Sequence, residues 1–288
     1  MAKHYIIAEK HGMCGGVFSA LHTLDETIAA NPGKTVFVLH EIVHNTAVTA
    51  QYEQKGVRFI ETPDELPVNA IAVIGAHGVD SKTGEFLRSR AAQLIDATCP
   101  LVKKLQNTAA ALSPDSELVI FGKAGHPEVA GVVGNSRARK NFIISSPDEV
   151  DSLPELNKPC FLSQTTVDSA LSDETLRRMQ ARFPHLQCTP GVCDASRQRQ
   201  KAVIDLASRC QLVVVAGSAH SSNACRLQEI AARQGCDAKR IDSADELTDD
   251  ELEKYDIIGI TSGASTPETI VDAIINKLEK LNFSRGIS

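Results

Sequence analysis

The chain has no tryptophan and only 4% aromatic residues, so its cores must rest on Val, Ile, Leu and Ala. An excess of basic residues is also missing. Thirty Lys and Arg face 36 Asp and Glu, for a formal net charge of -6, which leaves none of the cationic footprint that draws in a phosphate backbone. Nucleic acid is therefore not an expected partner. No apolar run approaches the ~18 residues of a membrane span, and the N-terminal segment lacks the ~7–15-residue apolar core of a secretory signal. These absences predict a cytoplasmic protein with no membrane association. No Gly-x-Gly-x-x-Gly occurs, and Ile28 stands where a phosphate loop ending in Gly33-Lys34-Thr35 needs its first glycine, which removes the common nucleotide loops. What remains is a chain of 288 residues, 42% hydrophobic and 23% charged, typical of globular proteins and long enough for two or three domains.

A short phrase recurs three times: Thr62-Pro63-Asp64-Glu65-Leu66, Ser146-Pro147-Asp148-Glu149-Val150 and Ser243-Ala244-Asp245-Glu246-Leu247. Each reads as a helix start, with Thr or Ser at the N-cap and Glu three residues on in capping-box spacing. Cys14, Cys99 and Cys193 precede the three box glutamates by 51, 50 and 53 residues. The repeat is thus about one third of the chain. Between cysteine and box lies an apolar run (Thr35–Leu39, Glu117–Phe121, Gln211–Ala216), and after the box a second (Ala70–Ile74, Cys160–Leu162, Ile257–Ile260). Short, non-alternating Val/Ile-rich runs separated by helix-length stretches predict buried parallel strands in βα units. The expected fold is α/β: three small modules with parallel sheets in a pseudo-threefold (trefoil) arrangement, spanning residues 1–98, 99–192 and 193–288.

Ligands of open α/β sheets sit beyond the carboxyl ends of the strands. After the first run of each module come His40-Glu41-Ile42-Val43-His44-Asn45, Gly122-Lys123-Ala124-Gly125-His126-Pro127-Glu128 and Gly217-Ser218-Ala219-His220-Ser221-Ser222-Asn223. After the second come Gly75-Ala76-His77-Gly78, Ser163-Gln164-Thr165-Thr166 and Thr261-Ser262-Gly263-Ala264-Ser265. His44, Glu128 and Asn223 lie 30, 29 and 30 residues after their cysteines, which predicts equivalent positions. Hydroxyls, an amide and imidazoles near helix N-termini make a phosphate pocket that needs no Lys or Arg. One cysteine per module makes a three-thiolate site, suited either to zinc with an open position or to an iron–sulfur cluster with one non-cysteine iron. Cys160, Cys188, Cys210, Cys225 and Cys236 have no threefold counterparts and read as ordinary thiols. His40-Glu41-Ile42-Val43-His44 matches the zinc-protease pattern, but it follows directly on a strand, so its histidines are not expected to share a helix face.

These loops resemble the motifs of the 4-hydroxy-3-methylbut-2-enyl diphosphate reductase family (LytB), which performs the last step of the methylerythritol phosphate isoprenoid pathway. The resemblance is carried, in order, by His40 to Asn45, Gly75 to Gly78, Asp96-Ala97-Thr98-Cys99-Pro100-Leu101-Val102, Gly125 to Glu128, Gln164 to Thr166, Ser221 to Asn223 and Gly263 to Ser265. It implies an iron–sulfur oxidoreductase with one [4Fe-4S] cluster per chain, held centrally by Cys14, Cys99 and Cys193. It further implies that Glu128, helped by Thr165, delivers a proton, and that His44, His77, His126, Thr165, Ser221, Ser222, Asn223 and Ser265 bind an allylic diphosphate. A ferredoxin or flavodoxin would supply electrons. Two neighbouring readings use the same residues: a paralogue acting on a different allylic diphosphate, and a non-catalytic iron–sulfur sensing module. The chain departs from the family's usual pattern at Lys10-His11-Gly12-Met13 before Cys14, at Asp194 and Ser196, and at Ala219-His220. Asp194 is expected to lower the cluster's potential, because added negative charge disfavours an added electron.

Overall fold

A computed structural model describes residues 3–189 and 191–286; Met1, Ala2, Pro190, Ile287 and Ser288 lie outside the described residues. The chain opens with β1 (His4–Ile7), α1 (Gly15–Ala30), β2 (Val36–Leu39), α2 (Thr46–Gln54), β3 (Arg58–Ile60), β4 (Ala70–Ile74), α3 (Ser81–Arg90) and β5 (Ala91–Asp96). It continues with α4 (Pro100–Ala110), β6 (Glu117–Phe121), α5 (Pro127–Asn135), β7 (Lys140–Ile144), β8 (Pro159–Ser163), α6 (Ser169–Arg182) and β9 (Gln187–Thr189). The last third holds α7 (Asp194–Ala207), β10 (Leu212–Ala216), α8 (Ser222–Arg233), β11 (Asp237–Ile241), α9 (Asp249–Leu252), β12 (Ile257–Ser262), α10 (Glu268–Lys280) and β13 (Ser284–Arg285).

These strands form three parallel sheets with orders β3-β2-β4-β5, β7-β6-β8-β9 and β11-β10-β12-β1-β13. The shared order reveals one topology used three times. In each sheet the strand order reverses between the two central strands, β2 and β4, β6 and β8, or β10 and β12, which is where such sheets bind ligands. The fourth place is taken by β5, β9 and β1 respectively. Chain order had grouped His4–Ile7 with residues up to 98, but that strand pairs with β12, His4 opposite Ile257 through Ile7 opposite Ile260. Without it, β12 would present an open edge of backbone groups on that side.

Two compact units emerge, one of residues 1–15, 44–50 and 194–288, the other of residues 16–43 and 51–193. In the first, β10 shows why its sequence is continuously apolar. Leu212 and Val214 pack with Ile274 and Leu278 of α10 on one face, while Val213 and Val215 pack with Val203, Leu206 and Leu227 on the other. A strand covered on both faces has no polar side to alternate with. Each such side chain contributes about 1.5–3 kcal/mol by leaving water. The second unit holds two sheets. Around β6, Val119 and Phe121 meet Phe161 and Met179 on one face, and Leu118 and Ile120 meet Leu105, Ala109 and Val129 on the other. Leu39, Ile60, Ala72 and Ile74 pack with Leu66 and Leu87 in the remaining sheet.

All three capping boxes are present, but each closes a 3-10 turn (Pro63–Glu65, Pro147–Ser152, Ala244–Glu246) rather than the start of an α-helix. Glu65, Glu149 and Glu246 accept from the backbone N–H groups of Thr62, Ser146 and Ser243 at 2.8, 3.1 and 3.0 Å. The Thr62 backbone bond holds the Glu65 carboxyl below its usual range, and the Ser145 hydroxyl does the same for Glu149. These turns set the entry into the third strand of each sheet.

Candidate active site

The three repeated cysteines occupy one structural position. Each follows the fourth strand of a sheet and leads a helix: Cys14 directly precedes α1, Cys99 is the N-cap of α4, and Cys193 directly precedes α7. Each backbone N–H donates to the carbonyl two residues past a central strand: Cys14 to Ala264 at 3.0 Å, Cys99 to Ala76 at 3.0 Å and Cys193 to Thr165 at 3.1 Å. The residue two before each cysteine is fixed in the same way. Gly12 N–H donates to Ser262 Oγ at 2.7 Å, Gly191 N–H to Ser163 Oγ at 3.1 Å and Ala97 N–H to Ile74 O at 3.0 Å. All three cysteines are half-buried and outside any disulfide. A helix N-terminus stabilises thiolate, the form that binds metal. The donor set fits an iron–sulfur centre. Among the other cysteines, burial pushes the Cys160 thiol up to about 11 and the Cys210 thiol up to about 12, which keeps both protonated.

The Cys193 loop has little freedom. A Cβ at Gly191 would lie 1.8 Å from Ser163 O, a backbone atom that cannot give way. Gly191→Ala is therefore expected to displace the loop that carries Cys193 and to lower the protein's iron content while leaving the sheets folded. Iron content and far-ultraviolet circular dichroism measure the two separately; full iron occupancy would refute the constraint.

In the second unit, the loops after β4, β6 and β8 gather His77, His126, Glu128 and Thr165. The His77 and His126 rings meet edge to face at 5.6 Å. His126 caps α5, its Nδ1 accepting from Glu128 N–H at 3.1 Å. Glu128 is 1% exposed, and its carboxylate accepts from Thr165 N–H at 2.6 Å and from Thr165 Oγ1 at 2.8 Å. Sequence reasoning missed the role of Gln164 here. It is buried, accepts from Lys123 N–H at 3.0 Å and donates to Thr166 Oγ1 at 3.0 Å, so it ties the two loops together.

In the first unit, the loops after β10 and β12 gather Ser221, Ser222, Asn223 and Ser265. Ser221 caps α8 by accepting from Ala224 N–H at 3.3 Å, and Ser222 is the first helical residue. Asn223 Oδ1 accepts from Ala264 N–H at 3.0 Å, while its Nδ2 is buried without a hydrogen-bond partner among the described residues. A buried, unpaired donor at a helix N-terminus is shaped for an anion. Ser265 Oγ donates to His44 O at 2.9 Å, and Asn45 caps α2 by accepting from Val48 N–H at 3.1 Å.

Glu128 and Asn223 prove to be true counterparts. Both are the second residue of their helix, and each binds the N–H two residues past a central strand, Thr165 or Ala264. His44 is not their counterpart. It precedes the cap Asn45, so Ala47 occupies the equivalent place, and its matching offset from Cys14 reflects the longer α1 and the longer loop after β2. The His-Glu-x-x-His pattern also lies outside any helix, because α2 begins at Thr46. Its histidines cannot serve as a protease pair on one helix face.

A family model described as "LytB protein" matches residues 5–279. A 4-hydroxy-3-methylbut-2-enyl diphosphate reductase from Tropheryma whipplei is 38% identical over 291 residues, covering 99% of this chain and 92% of that protein. The enzyme of the same name from Mycolicibacterium vanbaalenii is 38% identical over 287 residues, covering 98% and 85%. Among solved structures, the E-1-hydroxy-2-methyl-but-2-enyl-4-diphosphate reductase from Plasmodium falciparum superposes with a TM-score of 0.92 at 28% identity, covering 99% of this chain and 92% of that one. A second, an (E)-4-hydroxy-3-methyl-but-2-enyl diphosphate reductase described as the terminal enzyme of the non-mevalonate pathway, gives a TM-score of 0.67 at 25% identity, covering 96% and 99%. Three sheets of one topology, a cysteine at the same place in each and a family match over nearly the whole length lead to one assignment: the chain belongs to the LytB protein family.

Proposed function

We propose that the chain reduces (E)-4-hydroxy-3-methylbut-2-enyl diphosphate to isopentenyl diphosphate and dimethylallyl diphosphate, the last step of the methylerythritol phosphate pathway. Family membership and the names of the relatives support this reading. The observation that carries it is the pair Glu128 and Asn223, one helix position bearing a buried acid in one repeat and an unpaired amide donor in another. The reaction consumes two electrons and two protons, breaks one C–O bond and releases water. Cys14, Cys99 and Cys193, one after the fourth strand of each sheet, hold one [4Fe-4S] cluster. When bound, such a cluster supplies single electrons and, at the iron without cysteine, a Lewis-acid position.

The chain's own residues account for the rest. Glu128 holds the proton that departs with the hydroxyl oxygen, and Thr165 Oγ1 relays it, a role supported by its 2.8 Å hydrogen bond to Oε2. A hydroxyl can donate and accept at once, which suits that position. His44, His77, His126, Thr165, Ser221, Ser222, Asn223 and Ser265 bind the diphosphate, the serines and the amide as hydrogen-bond donors and the histidines through their imidazoles. The α8 N-terminus adds a favourable dipole for the anion. A ferredoxin or flavodoxin delivers the electrons. The setting is the cytoplasm; among the described residues no helix is long and apolar enough to cross a membrane.

The oxygen-free protein is expected to be brown, to contain iron and sulfide rather than zinc, and to turn over the substrate with a reduced one-electron donor. A colourless, zinc-loaded protein would overturn the cluster assignment. A fully loaded protein that forms no product would overturn the substrate, and the altered residues around Cys14 and Asp194 would then point to a different allylic diphosphate.

A further inference from the structure

A charge in the third repeat has no counterpart in the other two. Six residues after the cysteine, α1 carries Ala20 and α4 carries Leu105, whereas α7 carries Arg199 at 6% exposure. Ser196, Arg199 and Gln200 are buried on the same helix as Val203, Leu206 and Ala207. Their spacing of three and four residues puts the guanidinium on the face that packs inward. Arg199 Nη2 donates to Gly12 O at 2.7 Å and Nη1 donates to Ala195 O at 2.9 Å.

Gly12 lies two residues before Cys14. It adopts φ +74°, a left-handed conformation that favours glycine, and its N–H is already held by Ser262 Oγ at 2.7 Å. Arg199 fixes the other polar atom of the same residue. The Cys14 loop is therefore fastened at the Gly12 N–H, the Gly12 carbonyl and the Cys14 N–H. Lysine could supply the charge but not the rigid two-pronged fork. A guanidinium also keeps its charge at every physiological pH, and burying it is costly, so a role in packing alone is poorly served by this residue.

We infer that Arg199 is a positioning residue for the metal centre: it sets the path of the Cys14 loop and places a permanent positive charge beside the loop that carries the Cys14 thiolate, raising the centre's reduction potential. The inference rests on the proposed cluster. Three thiolates and an iron–sulfur core make a site whose potential responds to nearby charge. Arg199 opposes Asp194, the acidic residue next to Cys193, and removing it leaves the surroundings one unit more negative whatever else it touches.

The test is a redox titration of substrate-free, oxygen-free protein followed by electron paramagnetic resonance, with iron and sulfide assayed on the same samples. Arg199→Gln is expected to keep its cluster but, at the wild-type midpoint, to show a reduced-to-oxidised ratio about tenfold lower, a shift of about 59 mV for one electron. Arg199→Lys, which restores the charge, is expected to recover most of that shift. A loaded Arg199→Gln protein with the wild-type midpoint would overturn the inference, as would an Arg199→Lys protein as shifted as Arg199→Gln. Should Arg199→Gln lose its iron, Arg199→Lys decides: loaded and near the wild-type midpoint supports the role, unloaded or shifted defeats it. Wild-type protein that holds no iron would instead defeat the cluster reading itself.

Discussion

Cys99→Ser will give a folded, colourless protein that has lost most of its iron. The fold survives for a local reason. Cys99 is the N-cap of α4 and makes no side-chain capping bond, whereas serine is among the preferred caps and contributes about 0.5–2 kcal/mol relative to residues that cannot cap. The iron is lost for a chemical reason. A serine hydroxyl is a hard oxygen donor that stays protonated at neutral pH, and the site loses one of the soft thiolates that iron–sulfur clusters require. Cys210→Ser is the matched control. Its thiol lies just ahead of β10, is pushed up to about 12 by burial and then by the neighbouring Cys236, and belongs to no repeated loop. That variant should cost about 1–3 kcal/mol for burying a hydroxyl yet keep its iron. Iron and sulfide assays with visible absorption compare the two. Full iron in Cys99→Ser, or equal loss from both, would remove the distinction between ligand and bystander cysteines.

The central strands were legible because both faces of each are covered. Leu212 to Ala216 and Glu117 to Phe121 are buried at every position, so composition alone marks them. The edge strands were not. β11 reads Asp-Ala-Lys-Arg-Ile and β5 reads Ala-Ala-Gln-Leu-Ile-Asp, because a strand open to water on one side tolerates polar residues and loses the apolar run. The cysteines could be placed because their spacing from the boxes is kept by the shared topology. The offset of His44 misled for the complementary reason, since α1, with 16 residues, is longer than α4, with 11, and sequence distance then no longer measures structural position. Arg199 was missed because a charged residue in a helix is ordinarily solvated. A signal did exist: counting back from Val203 in steps of four and three reaches Arg199 and Ser196, the buried face of α7.

Glu128→Gln is expected to lower turnover by about 10²–10⁴-fold, the range attributable to a positioned general acid, while cluster content and substrate affinity stay near wild type. The amide can replace the carboxylate without disturbing its neighbours. Its oxygen still accepts from Thr165 N–H, and the Thr165 hydroxyl, now 2.8 Å from a donor, rotates to accept instead. The molecule already contains this variant: Asn223 stands at the same helix position in the third repeat, with an amide oxygen on Ala264 N–H in the same manner. What the substitution removes is the exchangeable acidic proton. The loss should fall on kcat with KM little changed, because an interaction needed only as the C–O bond breaks does not contribute to ground-state binding. Anaerobic steady-state kinetics on cluster-matched samples make the comparison. Undiminished kcat would take the proton from Glu128, and a loss confined to KM would make this carboxylate a binding group, the role proposed for its counterpart Asn223.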